Sequence, residues 1–173
     1  MTNWEIFKLL CRIIGGQDCD ALANVIDGDS FPALFALAEE RDLLPALATR
    51  LDEQHGQAER LPTEFNEKLT AALVENTRRK LKIKAQAIKL TRVLNAQGIE
   101  PLLMKGTAQL LTNPDIPAGF RKQVDIDLLV PPNQIDASCE ALKEVGYSFF
   151  DFNGQEAEAF TDAAKAQHLS KHH

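Results

Sequence analysis

The chain has 173 residues, of which 45% are hydrophobic and 25% are charged, and its formal net charge is −6. This composition excludes a disordered or collagen-like chain, and the length suits one domain or one domain with a substantial additional segment. There is no apolar run of membrane-spanning length, no secretory signal and no CxxC pair, so we expect a cytoplasmic protein without a membrane partner. The net acidity also argues against duplex DNA as a partner.

Residues 1–98 are predicted to form a helical domain, because apolar residues recur at intervals of three and four positions. A first helix is predicted over 4–14, with Trp4, Phe7, Leu10, Cys11 and Ile14 on its buried face. A short second helix is predicted near 20–26, and two more follow between 30 and 53. The domain is predicted to end in a long helix over 63–97, which Gly98 terminates.

Charge is distributed unevenly along the chain. Eleven acids and five bases give residues 1–62 a balance of −6, whereas four acids and eight bases give residues 63–100 a balance of +4. Between Arg78 and Arg92 there are seven bases and no acid. This stretch is either a funnel for triphosphate or single-stranded RNA, or a solvated helix surface paired with the acidic N-terminal region. The absence of interleaved aromatic residues favours the second interpretation.

After residue 98 the pattern changes to an alternation of strands and helices. Strands are predicted over 99–104, 124–130 and 147–152, with helices over 107–111 and 133–145 between them. This order is typical of an α/β layout, so residues 99–173 are predicted to form a second domain.

Two carboxylates, Asp125 and Asp127, interrupt the otherwise apolar strand predicted over 124–130. Side chains two positions apart in a strand point to the same face, so both acids are expected on one side. A divalent cation that prefers oxygen ligands, Mg²⁺ or Mn²⁺, would offset their repulsion. The alternative is a pair of surface aspartates on an edge strand.

A Lys105-Gly106-Thr107 turn directly follows the first predicted strand and opens a helix. Glycine lets the backbone approach a ligand closely, and the N–H groups at a helix N-terminus favour phosphate. Lys105 would add a charge and Thr107 a hydroxyl, while Arg121 is a further candidate phosphate ligand. Each also has an ordinary explanation, as part of a strand–helix connection or as a paired surface arginine.

Together, segments 103–106 and 125–130 with Arg121 resemble an uncharacterised bacterial nucleotidyltransferase-like family of the DNA polymerase beta superfamily. Its core reads Leu-Lys-Gly, then Arg, then Asp-Ile-Asp-Leu-Leu-Val. The resemblance implies an α+β fold, in which a mixed β-sheet core with flanking helices follows the helical domain. It also implies catalytic and metal-binding roles for Asp125 and Asp127, and phosphate binding by Lys105, Gly106, Thr107 and Arg121.

The implied reaction transfers a nucleoside monophosphate from an NTP to an acceptor, which is a small molecule, a protein or an RNA. The superfamily uses a third carboxylate on a later strand, which we expect beyond residue 173, and Asp151 is the candidate within the chain. The alternative is a catalytically incomplete nucleotide-binding or protein-interaction module. The histidines at 168, 172 and 173 are interpreted as a chain end or the start of an affinity tag rather than a metal site.

Overall fold

A computed structural model describes residues 2–17, 30–53, 60–113, 122–150 and 156–157. The predicted helix at 20–26, Arg121, Asp151 and the C-terminal histidines lie outside these ranges. The backbone contacts divide the chain into two compact units, which are Met1–Lys84 with Gln109–Asp125, and Ala85–Ala108 with Ile126–His173. The domain boundary predicted at residue 98 stays a prediction.

The first unit begins with three helices, α1 (Asn3–Ile14), α2 (Phe31–Glu40) and α3 (Leu44–Glu53). Helix α1 starts with a capping box, in which the Thr2 hydroxyl accepts from the Glu5 N–H and the Glu5 carboxylate accepts from the Thr2 N–H. Hydrogen bonds from the Thr2 N–H and from the Thr2 hydroxyl to the carboxylate lower the pKa of Glu5. The helices pack around a core that contains Ile6, Leu9, Leu10, Ile13, Phe31, Leu34, Phe35, Ala38, Leu44, Leu47 and Leu51.

The buried face predicted for α1 is correct for Leu10, which is buried, and for Ile14, which packs against the core, but wrong for Trp4, Phe7 and Cys11, which are exposed. Trp4 is 64% exposed and stacks on Phe7, with ring centroids 5.6 Å apart. The core side of α1 is formed by Ile6, Leu9, Leu10 and Ile13, of which Leu10 belongs to the predicted set. The apolar residues of α1 cover a wide arc of the helix, and packing against α2 and α3 selects the aliphatic part of this arc.

The long helix is confirmed as α4, Thr63–Ala96. At its N-terminal end Phe65 packs against Phe31 and Phe35, with ring centroids 5.3 and 4.8 Å apart. Further along, its buried face carries residues at helical spacing, Asn76, Lys80, Ile83, Ala87, Leu90 and Leu94. In the described ranges, no helix combines the length and apolar character that spanning a membrane requires.

The remaining elements are short. Strand β1 (Leu102–Leu103) leads into helix α5 (Lys105–Thr112), and β2 (Leu128–Leu129) is followed by a 3₁₀ turn (Pro132–Gln134) and helix α6 (Ile135–Glu144). Strands β3 (Phe149–Phe150) and β4 (Glu156–Ala157) come last. The second unit has a core of Leu94, Ile99 and Ala141, against which Val93, Leu128, Val130 and Leu142 pack.

The strands pair in two antiparallel ribbons, β1 with β2 and β3 with β4. The helix-rich α+β class is therefore confirmed, but within the described residues the sheet is antiparallel rather than mixed. The strands predicted over 99–104 and 124–130 contract to two residues each, residues 151–152 of the third predicted strand lie outside the described ranges, and β4 was not predicted. Apolar content indicates where a strand can form, whereas its length depends on the partner that supplies the hydrogen bonds.

Candidate functional site

The pairing of β1 with β2 fixes the position of Asp127. Leu102 lies opposite Leu129, and Leu103 lies opposite Leu128. The alignment continues for one more pair, because the Met104 N–H donates to the Asp127 carbonyl oxygen at 3.1 Å. Asp127 is thereby held next to the point where β1 ends and α5 begins.

Lys105 occupies that junction, and its backbone has a φ of 50°, in the left-handed region. Non-glycine residues rarely adopt this conformation, which here turns the chain directly from β1 into α5. The Lys105 Nζ lies 3.1 Å from Asp127 Oδ1. The lysine side chain is 67% exposed and the aspartate side chain 25% exposed. The ion pair therefore lies at the surface, and most of the aspartate side chain is covered by its neighbours.

Gly106 and Thr107 follow in the first turn of α5 and are both buried, with Thr107 fully inaccessible to solvent. The first N–H groups of a helix have no carbonyl partner within that helix, and the helix dipole adds positive potential there. Complete burial covers the hydroxyl and the backbone N–H of Thr107 alike, so in this structure the turn presents Lys105, rather than Gly106 or Thr107, at the surface.

Asp125 is the last residue of the first unit, and its side chain is exposed. The buried Gln123 donates from Nε2 to the Asp125 carbonyl oxygen at 3.1 Å, while Lys122 forms an ion pair of 2.6 Å with Asp42. Residues 122–127 form no regular strand, so the predicted strand begins only at Leu128. Leu128 and Val130 pack inward, as the alternation predicts.

The structure thus brings together two of the predicted site residues, Lys105 and Asp127, with Gly106 and Thr107 next along the chain. The division between the units falls directly after Asp125, and Arg121 lies outside the described residues. Sequence reasoning missed the support that Gln123 gives to the Asp125 backbone. The signal in the sequence was Gln123 itself, a polar residue two positions before Asp125.

The base-rich stretch of α4 contains one buried member. Lys80 is 8% exposed, and its burial lowers the pKa of the ammonium. In this stretch, Arg79 forms an ion pair of 3.6 Å with Glu75 of the same helix. The expected pairing with the acidic N-terminal region stays a prediction, because residues 18–29 and 54–59 lie outside the described ranges.

No group of three or more histidine, cysteine, aspartate or glutamate side chains placed to bind a metal occurs within the described ranges. Asp125 and Asp127 are nevertheless a donor set that suits Mg²⁺, which is often held by one or two carboxylates together with substrate phosphates and water. The exposure of Asp125 and the partial exposure of Asp127 are compatible with such a role.

A helical segment followed by a small antiparallel sheet is consistent with an α+β fold of the nucleotidyltransferase type. More narrowly, residues 27–173 match the model of a protein family described as uncharacterised nucleotidyltransferase. The match covers most of the chain, which therefore belongs to this family. Neither the curated proteins nor the solved structures gave a match to the chain.

Proposed function

We propose that the protein is a metal-dependent nucleotidyltransferase that moves a nucleoside monophosphate from an NTP to an acceptor in the cytoplasm. The observation that carries the proposal is the ion pair between Lys105 and Asp127 at the β1–α5 corner. A cation and a carboxylate, next to the N-terminus of a helix, are the groups that a metal-bound triphosphate requires. Family membership supports the same reaction class.

Asp125 and Asp127 would hold the Mg²⁺ or Mn²⁺ in this proposal. When bound, the ion would offset the charge of the phosphate oxygens and of the leaving group. Leu128 packs against the core of the second unit, and the preceding Asp127 side chain pairs with the exposed Lys105 at the surface.

Lys105 would have a different partner in each state of the site. In the structure its ammonium neutralises Asp127. Because the side chain is long and 67% exposed, it can turn from this carboxylate to a phosphate oxygen once a cation takes over the charge of Asp127. Gly106, Thr107 and Arg121 are further phosphate ligands by sequence position, and the first two, which are buried in the structure, would have to become accessible when the nucleotide binds.

In the proposed reaction, an acceptor oxygen or nitrogen forms a bond to the α-phosphorus. The bond from this phosphorus to the bridging oxygen breaks, and pyrophosphate leaves. The acceptor proton passes to a general base, for which Asp151 is the candidate within the chain. The acceptor itself, a small molecule, a protein side chain or an RNA end, is left open.

Thermal-shift measurements with the four NTPs, each with and without Mg²⁺, test the proposal. We expect at least one NTP to raise the melting temperature in a Mg²⁺-dependent way, because a ligand that binds only the folded state stabilises it. Asp125→Asn and Asp127→Asn should abolish this shift. Asp52→Asn, the same change at an exposed position of α3, is the matched control and should behave as wild type. Equal shifts in all four proteins would refute the site.

The second candidate is a catalytically incomplete nucleotide-binding or protein-interaction module. The observation that favours it is that no third metal-ligating side chain joins the two aspartates within the described residues. Pyrophosphate release separates the two candidates, because a binding module stabilised by Mg²⁺ and NTP would release none with any acceptor class.

A further inference from the structure

A second surface lies on the side of α4 that points away from its buried face. We call it the α4 seam. It consists of residues separated alternately by three and four positions, all of them exposed: Ala71, Val74, Arg78, Leu81, Ala85, Ile88 and Arg92. The exposed fractions of its large apolar members are 45% for Val74, 63% for Leu81 and 37% for Ile88. All seven residues belong to one continuous helix, so their alignment follows from helix geometry alone.

Alternating intervals of three and four positions are the heptad repeat by which one α-helix packs along another. Val74, Leu81 and Ile88 occupy one of the two core positions of this repeat. Alanine and arginine alternate at the other, where the small Ala71 and Ala85 permit close approach. The seam runs for about 33 Å at 1.5 Å per residue, which is about three heptads and long enough for a stable helix contact.

The charge of the seam specifies the kind of helix that fits. Arg78 and Arg92 lie within it, and Lys82, Lys84 and Lys89 lie beside it, all exposed. Within the described residues no carboxylate pairs with any of these five bases. A partner helix with acids at the facing positions would complement these bases, and the acids that face Arg78 and Arg92 would be about four turns apart.

A second copy of this chain does not meet that requirement. In a parallel pair, Arg78 and Arg92 would each face the same residue of the other copy. An antiparallel pair with Leu81 near its centre would place the two base-rich stretches against each other. Like charges in these positions select against self-pairing.

The seam also differs from surfaces that bind membranes or RNA. Its apolar side chains form a single file rather than the broad apolar face, with large aromatic residues, of an interfacial helix. No aromatic residue lies between residues 66 and 119 to stack on a base. At its N-terminal end, Ala71 and Val74 line an open depression of about 520 Å³ together with Leu61 and Thr70, where a bulky side chain of a partner can insert.

We propose that the α4 seam binds an acidic amphipathic helix of another protein, with apolar residues every seven positions and carboxylates opposite Arg78 and Arg92. The contact would recruit a protein partner, independently of whether the chain transfers nucleotides.

The probe for the test is a synthetic three-heptad helical peptide, with leucine opposite the apolar seam residues and glutamate opposite the two arginines. A peptide of reversed sequence covers the antiparallel orientation. Fluorescence anisotropy with the full chain should show binding by one of the two. Leu81→Gln, and the double variant Arg78→Glu with Arg92→Glu, should each weaken it by about tenfold or more. The control Leu102→Gln removes a leucine of matched exposure (60%) elsewhere and should leave the affinity unchanged.

A charge-swapped peptide makes the test specific. With lysine in place of glutamate, the peptide should fail to bind wild type and should bind the double variant. The proposal is overturned if a scrambled acidic peptide binds equally well, if Leu81→Gln binds like wild type, or if neither peptide binds. Leu81-dependent dimerisation of the chain, or tighter Leu81-dependent binding of phosphatidylglycerol vesicles or oligouridine, would also overturn it. Unchanged melting temperatures verify that the variants fold.

Discussion

Lys105 combines a chemical and a conformational feature in one residue. Its ammonium pairs with Asp127, while its backbone φ of 50° starts α5 at the end of β1. The sequence predicted the lysine as a phosphate ligand from its place before Gly106, but gave no sign of either feature. Both depend on the antiparallel pairing of Met104 with Asp127, which joins positions 23 residues apart in the chain.

The backbone conformation leads to a prediction about stability. Replacing Lys105 by glycine or by alanine removes the same exposed ion pair, but only alanine retains the cost of a left-handed conformation. We therefore expect Lys105→Gly to be more stable than Lys105→Ala by about 1 kcal/mol in urea denaturation. At Lys143, inside α6, the order should reverse, because glycine is the poorer helix former. The same order at both positions would contradict the assignment of strain to residue 105.

Thr107 shows how far a motif can be interpreted from sequence alone. The spacing identified the strand–helix turn, and the structure places Thr107 in the first turn of α5. Its complete burial was not predictable, because it depends on neighbours that the local sequence does not specify. Because this burial covers both its hydroxyl and its backbone N–H, Thr107 could contact a phosphate only after a local rearrangement of the turn.

At the scale of elements, long helices were predicted far better than strands. The bounds of α4 agree with the prediction to within one residue, because its apolar residues keep helical spacing over nine turns and Gly98 provides a stop. The strands were too long, since a strand extends only as far as its partner does. The predicted alternation of side chains holds for Leu128 and Val130, which both pack against the core. Residues 122–127, which include both aspartates, do not form a strand.

Helix α1 provides a prediction that tests which of its faces holds the core. Leu10 is fully buried, whereas Trp4 in the same helix is 64% exposed. We expect Leu10→Ala to reduce the free energy of unfolding by about 2–5 kcal/mol, and Trp4→Ala to reduce it by less than about 1 kcal/mol. Chemical denaturation measures both. A larger loss for the tryptophan variant than for the leucine variant would contradict the exposed position of Trp4.

At the scale of the whole molecule, family membership and the corner between β1 and α5 point to the same class of chemistry. The sequence predicted this class because the Lys-Gly and Asp-x-Asp segments are short, local and close to the family pattern. It did not predict the division of the chain into two units, which assigns parts of α4 and α5 to each. That division depends on contacts between segments far apart in sequence, which helical periodicity does not report.

The central claim is that Asp127 binds a metal-associated triphosphate after exchanging its ion pair with Lys105. Isothermal titration of the most stabilising NTP into wild type, Asp127→Asn and Lys105→Ala, each with and without Mg²⁺, tests it most directly. In wild type Mg²⁺ should tighten binding by about tenfold or more, a gain of about 1.4 kcal/mol. Asp127→Asn should lose this gain and keep or raise its metal-free affinity, because Lys105 is released, and Lys105→Ala should bind more weakly in the presence of Mg²⁺. An equal gain from Mg²⁺ in wild type and Asp127→Asn would contradict the account.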